Sequence, residues 1–133
     1  MPVDPHYRPA PEYPDAVGED LYDVVRAARF PSHALRFRND GAAATIGLEG
    51  LDEAEWLAAF GRFEALPENL RHPLALRYHG HQFQHYNPDL GDGRGFLFAQ
   101  LLERRTGRRL DLTTKGTGTT PWSRGGDGRL TLQ

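Results

Sequence analysis

The chain has 133 residues, 38% of them apolar, with a mean hydropathy of −0.62, a net charge of −2 and no cysteine. That is one domain's worth of sequence with a modest core. No apolar run approaches the ~20 residues that a membrane-spanning helix needs, and without cysteine there is neither a disulfide framework nor thiolate chemistry.

Charge is unevenly placed. Residues 1–90 carry 8 arginines against 14 acidic side chains, whereas residues 91–133 carry 7 arginines and Lys115 against 4. A basic end of this size favours a small phosphorylated ligand by its local field. Duplex nucleic acid calls for a domain pI above about 9, and here the pI is near 6.3. Neither a nucleic-acid nor a membrane partner is expected. The proline-rich, acidic start, Met1 to Asp20, is unlike a signal peptide, so a cytoplasmic location is the default expectation.

In chain order, Met1 to Gly18 holds five prolines and no period, which predicts an extended, poorly packed arm. Leu21, Val24, Val25 and Ala28 fall at helical spacing and predict a helix over Glu19 to Phe30, ended by Pro31. Ser32 to Arg38 reads as a short strand with Leu35 and Phe37 on one face. Asn39-Asp40-Gly41 is a turn signal, and Ala42 to Gly47 fits either helix or strand. Asp52 is a good N-cap for a helix from Glu53 to about Phe63, whose apolar stripe is Trp56, Ala59, Phe60 and Phe63.

Leu74 to Tyr78 is strand-like, as is the apolar run Phe96 to Leu102. Leu110 to Lys115 alternates with period 2. Glu103 to Arg109, with Gly107 as its turn residue, joins the last two runs as an antiparallel hairpin. Folding that hairpin returns Lys115 towards the glycine stretch Gly91-Asp92-Gly93-Arg94-Gly95. Glycine allows positive φ and close approach of backbone to a ligand, and successive exposed amides make an anion-binding concavity. Nine of the 15 glycines lie from Gly91 onward, and Lys115 is the only lysine.

The stretch therefore reads as a phosphate cradle, although Asp-Gly is also an ordinary turn dipeptide. It is neither a Walker A loop nor a Rossmann fingerprint. Beyond it, Thr119 to Arg129 supplies hydroxyls, a stacking ring at Trp122 and two arginines suited to phosphate. His79, His81 and His85 have a zinc reading, but without cysteine they would carry a site almost alone; hydrogen-bonded or partly buried histidines are the preferred reading. Loop, strand, turn and strand with lysine is also the order of parts in the small lobe of a protein kinase. The 21 residues from Arg94 to Lys115 are compatible with it.

Three collinear motifs narrow this further: Leu74-Ala75-Leu76-Arg77-Tyr78-His79-Gly80-His81-Gln82-Phe83, then Asn87 to Gly95, then Thr114 to Arg129. Together they closely resemble the selenoprotein O family, strongly over residues 74–130 and more weakly from about Phe30. The resemblance implies an α+β fold like a protein-kinase small lobe. It would have an antiparallel sheet, a glycine loop, a hairpin bearing the lysine, and N-terminal helices. Residues 1–18 would be an arm, and residues 19–133 the N-terminal part of the kinase-like domain.

The family transfers AMP from ATP to Ser, Thr or Tyr hydroxyls of proteins, with ATP reversed relative to ordinary kinases. Carried over by position, Gly91, Gly93 and Arg94 belong to the nucleotide-binding loop, Lys115 contacts the phosphates, and Asp127 and Gly128 line the same site. Gln84 stands where many members have glycine. The resemblance places the catalytic aspartate and the ligands of Mg²⁺ or Mn²⁺ beyond Gln133, so none is expected in this chain, and the chain reads as an N-terminal piece. A non-catalytic ATP-binding module, or a remnant whose glycines only make turns, are the alternatives.

Overall fold

The computed structural model describes residues 5–82, 84–91, 93, 95–123 and 125. Its helices are short: α1, Tyr13–Val17; α2, Asp40–Ala44; and α3, Glu53–Trp56, which continues as a π-turn over Leu57–Gly61. Five strands form the rest: β1, Tyr22–Val24; β2, Leu74–Gln82; β3, His85–Gly91; β4, Gly95–Leu102; and β5, Arg109–Lys115. The architecture is α+β, with the sheet in the order β1-β2-β4-β5 and β3 paired to β2 off that path. The pairings of β2 with β1, β3 and β4 are antiparallel. Among the described residues no helix is long and apolar enough to cross a membrane.

The chain divides into two compact units. The first comprises Met1–Pro11, Arg29–Arg71 and Ala99–Leu112. Its buried residues include Tyr7, Leu48, Leu51, Ala59, Leu66, Leu70, Ala99 and Leu101. Asn39 caps α2 by accepting the Ala42 amide at 3.0 Å. Asp52 and Glu55 form a reciprocal capping box on α3, with bonds of 2.8 and 3.1 Å, so two orphan amides at that end are met. Asn69 bonds both backbone groups of Gln100, at 2.8 and 2.9 Å, and fixes the loop before β2 to the end of β4.

The second unit comprises Glu12–Ala28, His72–Phe98 and Thr113–Gln133. β1 lies on β2 with Tyr22 opposite Leu76, Asp23 opposite Ala75 and Val24 opposite Leu74. β2 and β3 form a hairpin that places Arg77 opposite Gly91 and Tyr78 opposite Leu90. Val25, Ala75 and Phe96 make its buried cluster, with Ala27 packed against it.

Several expectations hold. β4, β5 and the Gly107 turn (φ 70°) between them lie where the sequence puts them, and so does the Asp52 cap. β5 alternates between exposed and half-buried residues along its length, as its period-2 pattern implies.

Others are corrected. The helix expected over Glu19 to Phe30 is a 3-10 turn, Glu19–Leu21, followed by β1 and irregular chain. Its β-branched Val24 and aromatic Tyr22 suit a pleated surface, and pairing with β2 outweighs a helical period only three turns long. Ser32 to Arg38 forms no strand, and Phe37 is 79% exposed. There the Arg38 guanidinium organises the chain instead. It donates to the Leu51 and Glu49 carbonyls and to Asp40, and stacks over Trp56 at 4.4 Å.

The Asn39-Asp40-Gly41 signal marks the start of α2 rather than an isolated turn. The helix from Glu53 ends at Gly61, with Phe63 already at φ 59°. Within residues 1–18, Tyr7 is buried with its hydroxyl on the Pro67 carbonyl at 2.6 Å, Pro9 bridges Leu101, and α1 forms one helical turn. β3 is absent from the sequence reading because Asn87, Pro88 and Asp89 are strand-breaking types. Among the described residues it pairs only with β2, and an edge tolerates proline.

Phe96 has no exposed surface. Phe96→Ala is expected to cost about 3–5 kcal/mol in urea denaturation, and Phe37→Ala to stay within about 0.5 kcal/mol. Equal losses would contradict this account of the core.

Candidate functional site

Within the second unit, β2, β4 and β5 open a cleft of about 400 Å³ lined by Tyr78, Gly93, Gly95, Phe96, Thr113, Thr114 and Lys115. Each element brings its residues there for a local reason. β5 ends at Lys115, which is exposed, and Gly116 at φ 76° turns the chain immediately afterwards. That turn is fixed: Thr114 and Thr117 join hydroxyls at 3.2 Å, and the Thr117 carbonyl accepts the Ala28 amide at 2.8 Å. Also in the cleft lining, β4 starts at Gly95, where a Cβ would stand 2.8 Å from the Thr114 carbonyl oxygen. Only glycine lets the two backbones come so close.

Gly91 ends β3 and is closed in by a ring. A Cβ there would lie 2.3 Å from Cδ1 and Nε1 of Trp122. The indole Nε1 donates to Asp23 Oδ2 at 3.0 Å. Arg77 forks onto the same carboxylate, its Nε donating to Oδ2 at 2.9 Å and its second nitrogen to Oδ1. These donors, led by Arg77, hold the Asp23 carboxyl below the usual carboxylate range, and Asp23 in turn raises the Arg77 guanidinium. The Ser123 hydroxyl donates to the Gly93 carbonyl at 2.6 Å and accepts the Thr120 amide at 3.0 Å.

Of the residues expected at the site, Gly93 and Lys115 share the cleft wall, and Gly91 sits beside it under Trp122. Arg94, Asp127 and Gly128 lie outside the described residues. Trp122, read from sequence as a stacking ring, and Ser123, one of the hydroxyls of that stretch, contact Gly91 and Gly93 instead. The Asp23–Arg77 pair escaped the sequence reading, because nothing local links residues 54 apart in the chain. His81 stands edge-on to Tyr86 with ring centroids 5.7 Å apart.

The sign of the Asp23 shift fixes a pH dependence. A folded-state pKa below the unfolded value of about 3.9 gives stability that is present above that value and lost as pH falls through the folded one. Thermal melts at pH 7, 5 and 3 should therefore show the wild type losing stability below about pH 4. Asp23→Asn should melt lower at pH 7, by about 4 °C for each kcal/mol lost, and change less on acidification. Parallel curves for the two proteins would contradict the role assigned to this carboxylate.

The family model described as protein adenylyltransferase SelO matches residues 6–133. The chain is 54% identical over 121 residues to the protein nucleotidyltransferase YdiU of Gloeobacter violaceus, covering 89% of this chain and 24% of that protein. It is 50% identical over 129 residues to its namesake in Synechocystis sp., covering 96% of this chain and 25% of the relative. The relative of the same name in Cereibacter sphaeroides is 46% identical over 115 residues, covering 86% and 23%. The chain thus spans about a quarter of the length of the curated relatives it matches. With a family match running over nearly its whole length, this chain belongs to the SelO protein adenylyltransferase family.

Proposed function

We propose that the cleft is the phosphate-facing part of an ATP site, in the small lobe of a kinase-like domain whose whole protein transfers AMP to Ser, Thr or Tyr hydroxyls of proteins. The observation that carries this reading is the meeting of Gly93, Gly95 and Lys115 in one cleft. Backbone that has no side chain to keep an anion away shares the cleft there with an exposed lysine at a strand end. The names of the relatives, protein nucleotidyltransferases, point to the same class of chemistry.

In such a transfer a protein hydroxyl gives up its proton to a base or to solvent and attacks the α-phosphorus, the bond from that phosphorus to the oxygen bridging the β-phosphorus breaks, and pyrophosphate leaves. Positioning and charge neutralisation account for most of the rate. Gly91, Gly93 and Arg94 would shape the nucleotide loop, Lys115 would neutralise phosphate charge, and Asp127 and Gly128 would complete the wall. Tyr78, half exposed, offers aromatic surface within the same cleft. A divalent cation, Mg²⁺ or Mn²⁺, accompanies chemistry of this kind and supplies charge neutralisation when bound. Among the described residues no three His, Asp or Glu side chains stand together as a donor set for it.

The test is Lys115→Met in the whole protein. AMP transfer from ATP to protein is expected to fall about 10²–10³-fold, the effect of removing one preorganised charge donor, with the melting temperature unchanged. Transfer at the wild-type rate would overturn the reading.

A further inference from the structure

After Lys115 the chain turns back along the glycine turn. Thr120, Trp122 and Ser123 form a strap over it: Trp122 donates its amide to Thr120 Oγ1 at 3.0 Å, and Ser123 accepts the Thr120 amide at 3.0 Å. From this strap two contacts reach the turn. The Ser123 hydroxyl holds the Gly93 carbonyl at 2.6 Å, and the Trp122 ring fills the space where Gly91 lacks a Cβ. The strap is itself tethered, because Trp122 Nε1 is committed to Asp23, 99 residues away in sequence. Asp23 is clamped by Arg77, whose strand position lies opposite Gly91. Turn, strap and β2 therefore close a ring of contacts within one unit.

Ser123 and Trp122 are of types that suit a ligand, yet both are already engaged. The hydroxyl of Ser123 donates to the turn and accepts from the strap, and the indole N–H is used by Asp23. Neither residue lines the cleft, whereas Gly93 does. A glycine turn left to itself samples many backbone states, and ordering it on binding would subtract from affinity. A turn already pinned at Gly91 and Gly93 meets its ligand preorganised.

We propose that Ser123 and Trp122 are positioning residues, which hold Gly91 and Gly93 in the geometry that receives a nucleoside triphosphate without touching the nucleotide themselves. The inference rests on the ATP-site reading above, and adds that the site's affinity is set by side chains outside its lining.

The experiment uses the whole protein with ATP and Mg²⁺ in calorimetric titration and steady-state AMP transfer. Ser123→Ala is expected to weaken ATP binding and raise the KM for ATP about 3- to 10-fold, the worth of one hydrogen bond, with kcat within about twofold. Ser123→Thr, which restores the hydroxyl, should recover both. Amide hydrogen exchange across residues 90–95 should be faster in nucleotide-free Ser123→Ala than in wild type. Trp122→Phe keeps a ring over Gly91 and removes only the N–H. It carries the same comparison if Ser123→Ala fails to fold.

Wild-type affinity and exchange in both variants, while Lys115→Met loses ATP, would overturn the positioning role and leave the ATP site standing. Absence of ATP binding by the wild type would overturn both.

Discussion

A carboxylate drawn half out of water is costly unless donors meet its oxygens, and Asp23 is met on both. Arg77 reaches both oxygens, and Trp122 adds an indole N–H to one of them. Because Asp23 lies on β1 and Arg77 on β2, the pair reinforces the register that sets Asp23 opposite Ala75 and Arg77 opposite Gly91. Because Trp122 is the third member, the segment beyond β5 is brought against the end of β3. One ion pair thereby joins three parts of the second unit and decides where the indole lies. The indole then explains the glycine at 91, where any side chain would collide with the ring.

The cleft depends on this arrangement and on two further backbone constraints. Gly95 allows β4 to begin within contact distance of Thr114, near the end of β5. The hydroxyl pair and the amide bond at Thr117 stop the chain after Lys115 from drifting. Lysine suits the position: an ammonium on a flexible stem at an exposed strand end can follow a phosphate. α2 and α3, within the stretch Arg29–Arg71, belong to the first unit, and α1 to the second.

How much of this could be read in advance depended on whether the signal was local. β4 and β5 were legible because an apolar run and a strict alternation flank a glycine turn. The α3 cap was legible because Asp52 and Glu55 carry the whole motif within four residues. Of the candidate site, the meeting of Gly93 and Lys115 in one cleft was legible as a glycine stretch and a single lysine, and the three collinear motifs tied those residues to a family. What escaped was set by distant partners. β1 exists because β2 is beside it, although its own sequence has a helical period. β3 persists through Pro88 because, among the described residues, it has a neighbour on one side only. Trp122 and Ser123 were visible as useful chemistry, but their actual partners, Asp23 and Gly93, lie 99 and 30 residues away. Periodicity carries no such information.

The central claim is that Lys115 and the glycine turn face the phosphates of ATP. An acyl-phosphate derivative of ATP, which acylates an amine held next to its phosphate chain, tests it directly, since Lys115 is the only lysine between Met1 and Gln133. Mass spectrometry of the peptide that contains residue 115 should find it labelled, and excess ATP should suppress the label. A peptide that stays unlabelled, or is labelled equally with and without ATP, would contradict the account.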